Sequence, residues 1–245
     1  MFKKSDFHVD RNLIYKTIEQ KKLTIDIYTP NQAGKKPAVI VVHGGGWSSR
    51  TGDMSGICED LANAGFVALN ITYRLAPRDL FPQPEDDVKD AITWVKDHAS
   101  EYDIDPARIS GWGYSAGAHL ILMAGLDPKM GLKSMVVGGT PAKLIVWPDS
   151  PLIKAHLGAS YKENPKLWEE ASPINHVEKN SPGVFMYHGA WDQLVEADQM
   201  NFMEQALKAK KIPVETFTVR YMGHMAVYLF SRESINRGIE FLQKK

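Results

Sequence analysis

The pattern that most restricts this chain is Gly113-Tyr114-Ser115-Ala116-Gly117. This Gly-x-Ser-x-Gly run lies between the β-type residues Arg108-Ile109-Ser110 and a small-residue, helix-forming run from Ala116 to Gly125. A chain passing from strand to helix in so few residues must reverse sharply. The reversal strains the serine backbone and presents its hydroxyl, and the positions two before and two after must lack bulk. The helix behind Ser115 turns N–H groups and the positive end of its dipole toward the place where negative charge would develop. Alone, the pattern carries little weight: three such fixed positions recur by chance in roughly one chain of this length in twelve. Its meaning depends on a base, an acid and an anion site following in workable order.

The rest of the chain supplies a sheet for that junction. Tyr15 to Gln20 and Leu23 to Tyr28 alternate apolar and polar residues, as two antiparallel strands at a sheet edge would. Ala38 to Val42 is an unbroken apolar run suited to a strand covered on both faces. Further strands are expected at Phe66 to Tyr73, Met135 to Gly138, Val184 to Tyr187 and Val214 to Arg220. Helices are expected at Ser55 to Ala64, Glu85 to His98, Ala197 to Lys210 and Met225 to Gln243. Strands alternating with helices imply an α/β fold, a mostly parallel central sheet with helices on both faces. All 245 residues suit a single domain, with 140–181, rich in Pro and Trp, as a small lid-like insertion.

In such a sheet functional groups gather beyond the C-terminal ends of the strands. His43-Gly44-Gly45-Gly46-Trp47 follows one strand, Ser115 a second, the loop with Asp192 a third, and Gly223-His224 a fourth. A serine hydroxyl is a poor nucleophile at neutral pH and needs a base. His224 suits that role, with Asp192 to fix its tautomer and stabilise the imidazolium. The N–H groups of Gly45, Gly46 and Ala116 suit an oxyanion hole, since consecutive glycines let backbone approach a ligand closely. A phosphate-binding role for the glycines lacks the Gly-Lys-Ser/Thr that would accompany it. Trp47, Trp147 and Trp191 are candidate walls of a substrate pocket.

Other residues invite simpler roles. His119, four residues past Ser115, is expected to point into the core. His43 and His188, each before a glycine, are expected to bond loop backbone. Glu196 and Asp198 fit first-turn helix charges better than the acid role. Asp86 and Asp87 fit the same description, one of them as an anchor for the Arg74 loop.

Charge and composition exclude some partners. Lys plus Arg and Asp plus Glu both number 29, so no net field favours nucleic acid or an anionic membrane. The single cysteine, Cys58, rules out an intrachain disulfide and a Cys-based zinc cluster. No metal site and no cofactor is expected. No run reaches transmembrane length. Met1 to Asp10 is charged and lacks an apolar stretch, so a cytoplasmic protein is expected, or an exported one whose signal has been removed.

Taken together, these motifs resemble the α/β-hydrolases of the esterase/lipase branch. That branch includes hormone-sensitive-lipase-like carboxylesterases and compact enzymes similar to feruloyl and acetyl-xylan esterases. The resemblance rests on the stretches around Gly45, Ser115, Asp192 and His224, and on Tyr73-Arg74-Leu75-Ala76-Pro77 with Phe81-Pro82. Hormone-sensitive-lipase-like members carry a large N-terminal helical cap, and about 15 residues precede the first expected strand here, so the likeness is to the compact group. It implies a serine esterase acting on short acyl groups, acetyl above all, of a small-molecule or carbohydrate ester, through an acyl-enzyme. The His-Gly-Gly-x-Trp form also resembles kynurenine formamidases, which cleave an N-formyl amide. A binding protein on the same fold is the alternative outside catalysis.

Overall fold

Apolar residues that run without alternation need cover on both sides, and Ala38 to Val42 receive it: all five are buried. They form most of strand β3 (Lys36–Val42) in an eight-stranded sheet. The computed structural model describes residues 6–244. The remaining strands are β1 (Phe7–Ile18), β2 (Lys21–Pro30), β4 (Val67–Ile71), β5 (Ile104–Tyr114), β6 (Ser134–Gly138), β7 (Gly183–Gly189) and β8 (Val214–Val219). Their spatial order is β1-β2-β4-β3-β5-β6-β7-β8. β2 pairs antiparallel with both β1 and β4. Every other neighbouring pair is parallel.

Helices cover both faces. On one side lie α2 (Gln83–Asp97), α3 (Ala116–Gly125) and α6 (Asp198–Ala209), whose apolar residues share a core with Ile40, Leu69 and Val137. On the other, α1 (Ser55–Asn63) and α8 (Arg232–Gln243) pack with Val39, Trp112 and Phe185. Between β6 and β7 the chain carries α4 (Pro151–Leu157) and α5 (Pro165–Glu170), flanked by single turns of 3-10 helix. Each begins with Pro behind a capping side chain: Ser150 accepts from the N–H of Ile153, and Asn164 from that of Leu167.

Three elements differ from the sequence expectation. β1 starts at Phe7, well before Tyr15. Its pairing with β2 shifts register after Asp10 and again after Ile14, and Asn12 takes φ 56°. Each bulge puts an extra residue into the strand and so breaks the alternation that would reveal it. β5 runs on through Gly111 and Gly113 to Tyr114. Glycine usually weakens a strand, but here a Cβ at Gly111 would collide with the side chain of Ile121 on α3, so the residue is set by close helix packing. Finally, the closing helix is two: α7 (His224–Phe230) and α8 separate at Ser231 (φ −82°, ψ 74°). α8 must press Gly238 onto Trp112 and Val136, whereas α7 presents His224, and one straight helix does not serve both directions.

The loop after β4 is anchored from α2. Asp87 is fully buried, accepts bonds from the backbone N–H and the guanidinium of Arg74, and also meets Lys16 at 2.6 Å. A carboxylate without exposure needs such compensation, and here two cations provide it. The anchor expected from Asp86 or Asp87 is therefore Asp87.

Candidate active site

The turn between β5 and α3 holds Ser115 at φ 55° and ψ −123°. A side chain in that region costs on the order of 1–3 kcal/mol, so the surroundings must impose it. They do. The Ser115 N–H donates to Gly138 O at 2.8 Å, and its carbonyl accepts from His119 N at 3.0 Å. A Cβ at Gly113 would run into the backbone of Gly117, and one at Gly117 into the carbonyls of Val42 and His43. Both glycines of the pattern are thus steric requirements.

The glycine run after β3 faces this turn. A Cβ on Gly44 would lie 3.0 Å from Tyr114 O and 3.3 Å from Ser115 Cβ. Gly46 (φ 57°) and Ala116, the first residue of α3, border the same cavity as Ser115. Gly45 (φ 123°) turns instead toward the following loop, where its carbonyl accepts from the N–H groups of Ser48 and Ser49, each at 3.1 Å.

The loops after β7 and β8 bring Asp192 and His224 together. His224 Nδ1 donates to Asp192 Oδ2 at 2.6 Å, and the carboxylate is wholly enclosed. Its other oxygen accepts from the N–H groups of Leu194 (3.0 Å) and Val195 (2.9 Å). Burial pushes the carboxyl of Asp192 up, but the bonds from His188, His224 and Val195 outweigh it and hold the group well below the usual range. An ionised Asp192 fixes the proton on His224 Nδ1 and leaves Nε2 as the acceptor.

The imidazole of His224 lies against Gly139, where a Cβ would sit 2.7 Å from its Cε1. The preceding carbonyl, of Gly138, holds the N–H of Ser115, and the hydroxyl of Tyr114 donates to His224 O at 2.6 Å. Ser115 and His224 therefore share the Tyr114 and Gly138-Gly139 neighbours. No hydrogen bond joins the Ser115 hydroxyl to His224 among the described residues; such bonds in free enzymes often tighten only with substrate.

The cavity at Ser115 encloses about 370 Å³. Trp47, Pro141, Trp147, Leu152, Ile153 and Leu194 make it mainly apolar, with Asp149 and Ser150 as its polar edge. Two of the three tryptophans singled out in the sequence, Trp47 and Trp147, are walls. Trp191 is not: it is 63% exposed and packs edge-on to Tyr221, with ring centres 5.3 Å apart.

Trp47 is held from behind by two histidines. Its indole N–H donates to His119 Nδ1 at 3.1 Å, and His119 Nε2 in turn donates to Ala171 O at 2.8 Å. His156 stacks on the indole at 4.7 Å, and neither of its ring nitrogens has a hydrogen-bond partner among the described residues. Burial lowers His119 to about 4 and His156 well below its ordinary value. His119 is thus a core residue, as expected, whereas nothing in the sequence around His156 pointed to it. His43 bonds its neighbour's carbonyl, Gly44 O, at 2.7 Å, and His188 bonds Val195 O at 2.6 Å. Glu196 accepts from the Trp147 indole at 2.7 Å, away from His224.

Known proteins share this architecture. LipM, a probable carboxylic ester hydrolase of Mycobacterium tuberculosis, is 29% identical over 228 residues, covering 84% of this chain and 53% of that one. The esterase LipC of the same organism is 29% identical over 76% of this chain and 52% of its own. The chain spans about half the length of these curated relatives. Among solved structures, a truncated carbohydrate esterase from gut microbiota superposes with TM-score 0.87 at 22% identity, covering 99% of this chain and 98% of that one. Esterase 2 of Thermogutta terrifontis gives 0.84 at 23% identity, over 98% of this chain and 94% of that one. The BD-FAE family model matches residues 25–138, and the prolyl oligopeptidase family model matches residues 83–245. That second match takes in the serine turn, the acid loop and the closing histidine, and with it the chain belongs to the prolyl oligopeptidase family, on an α/β-hydrolase fold.

Proposed function

We propose that this protein is a serine carboxylesterase that removes short acyl groups, acetyl above all, from small-molecule or carbohydrate esters, feruloyl esters included. The observation that carries the proposal is the 2.6 Å bond between a buried, ionised Asp192 and His224, set beside a serine held at positive φ. The names of the relatives agree with it, since LipM and LipC are described as an ester hydrolase and an esterase. So do those of the structural neighbours, one of them a carbohydrate esterase.

In the mechanism, His224 Nε2 takes the proton of Ser115 as the hydroxyl oxygen attacks the ester carbonyl. The carbonyl electrons move onto oxygen, and the N–H groups of Gly46 and Ala116, which border the cavity, receive that charge. His224 then hands the proton to the leaving alcohol as the C–O bond breaks. Water, deprotonated by the same imidazole, then attacks the acyl carbon; the bond to Ser115 breaks, the acid leaves, and His224 returns the proton to the serine oxygen. The apolar cavity suits the acyl group, because burying it there needs no polar compensation.

The test is a Ser115→Ala variant and a fluorophosphonate probe. The natural chain should take the label and hydrolyse p-nitrophenyl acetate; the variant should do neither and keep its fold. Absence of labelling would point to a binding protein, and faster cleavage of N-formylkynurenine than of acetyl esters to an amidase.

A further inference from the structure

His188 plays no part in the mechanism above, yet it lies against the carboxylate that His224 uses. The residue is the last but one of β7, is 1% exposed, and its Nε2 lies 2.6 Å from Val195 O and 3.4 Å from Asp192 Oδ2. A carbonyl accepts only, so Nε2 must carry a hydrogen, and the same nitrogen lies 3.4 Å from the carboxylate oxygen that His224 uses. Val195 completes a ring: its N–H donates to Asp192 Oδ1 while its carbonyl accepts from His188. Asp192 Oδ2 thus meets two imidazoles, and Oδ1 two backbone N–H groups.

The arrangement does more than fill space. The Asp192 loop is irregular backbone between β7 and α6, and the last of its residues before Glu196 line the cavity. A carboxylate on such a loop has two soft torsions, and a small rotation would move Oδ2 out of line with His224. The imidazole of His188, fixed in a strand, touches both the carboxylate and the carbonyl of Val195.

We infer that His188 is a positioning residue: through Asp192 and Val195 it holds the carboxylate in the orientation that His224 needs, and it is required for turnover rather than for substrate binding. The inference rests on the proposed serine mechanism. Groups that orient metal ligands typically matter by about 10- to 100-fold, and the same scale is taken for a group that orients a carboxylate.

The experiment compares the natural chain with His188→Leu and His188→Gln on p-nitrophenyl acetate, with thermal unfolding of all three. Leu fills the space without an N–H; Gln places an amide N–H near the position of Nε2. Expected are a fall in kcat of about 10- to 100-fold for His188→Leu with KM nearly unchanged, recovery of most of it in His188→Gln, and weakening of the low-field proton resonance of the Asp192–His224 bond in the Leu variant alone. A folded His188→Leu with natural kcat would overturn the inference, as would equal losses in both variants. If the natural chain shows neither turnover nor labelling, it is the esterase proposal that fails instead.

Discussion

Two groups of buried histidines lie in this molecule, and they have been put to opposite uses. Beyond β7 and β8, His188 and His224 both face the carboxylate of Asp192. Behind Trp47, His119 and His156 face an indole, a carbonyl and each other, with no carboxylate against either ring among the described residues. Burial opposes charge on the two rings behind Trp47. Only in the first group does a fixed anion face the rings, as the proposed proton transfer through His224 requires. The second group stays neutral and acts as packing with directional bonds. A buried histidine is thus suited to proton transfer by its partner more than by its depth.

The comparison is sharpest if the anion is removed. Asp192→Asn keeps the shape of the loop but favours the wrong tautomer of His224, and kcat should fall about 10⁴-fold in steady-state assays. A loss below tenfold would mean that the carboxylate is not coupled to the reaction. The matching change in the other group is His119→Leu, which leaves the Trp47 indole and Ala171 O unpaired. It should cost about 3 kcal/mol in urea unfolding and leave kcat within a few-fold; a collapse of kcat without loss of stability would break the distinction.

Acid separates the groups next. His119 and His43 are both lowered by burial from 6.5 to about 4, so the unfolded chain binds their protons more readily. Their stabilisation is complete above about pH 6.5 and is lost as pH falls toward 4, on the order of 3 kcal/mol for each. Asp192, also lowered, adds to the loss in the same direction at more acid pH. Unfolding free energies measured at pH 7 and pH 5 should show the decline, and His119→Leu should flatten it. The smallest effect belongs to Trp191, beside Asp192 in sequence but 63% exposed: Trp191→Ala should shift stability within about 0.5 kcal/mol. A larger change would show that its contact with Tyr221 braces the acid loop.

How far the sequence could be followed varied with how local the cause was. The Asp87 anchor was half visible, since an acidic pair at a helix start near Arg74 suggests it, but which of the two is buried depends on the face α2 turns inward. The break at Ser231 was hidden because apolar spacing carries on through Leu229 and Phe230, which in the fold are exposed. Trp191 looked like Trp47 and Trp147 as a strand-end aromatic, and only the course of its loop turned it outward.

By itself the sequence determined the serine turn, the sheet it interrupts and the order of the four strand-end stretches. Those follow from steric limits at Gly113 and Gly117 and from unbroken apolar runs, which act over a few residues. The tertiary structure alone decided that a second histidine, His188, meets the carboxylate already assigned to His224, and that His119 and His156 meet an indole. Asp192 and His224 are 32 residues apart along the chain, and Trp47 and His119 are 72. A bond across such a span exists only once the parallel strands are in register, and the charge an imidazole can carry is fixed at that point.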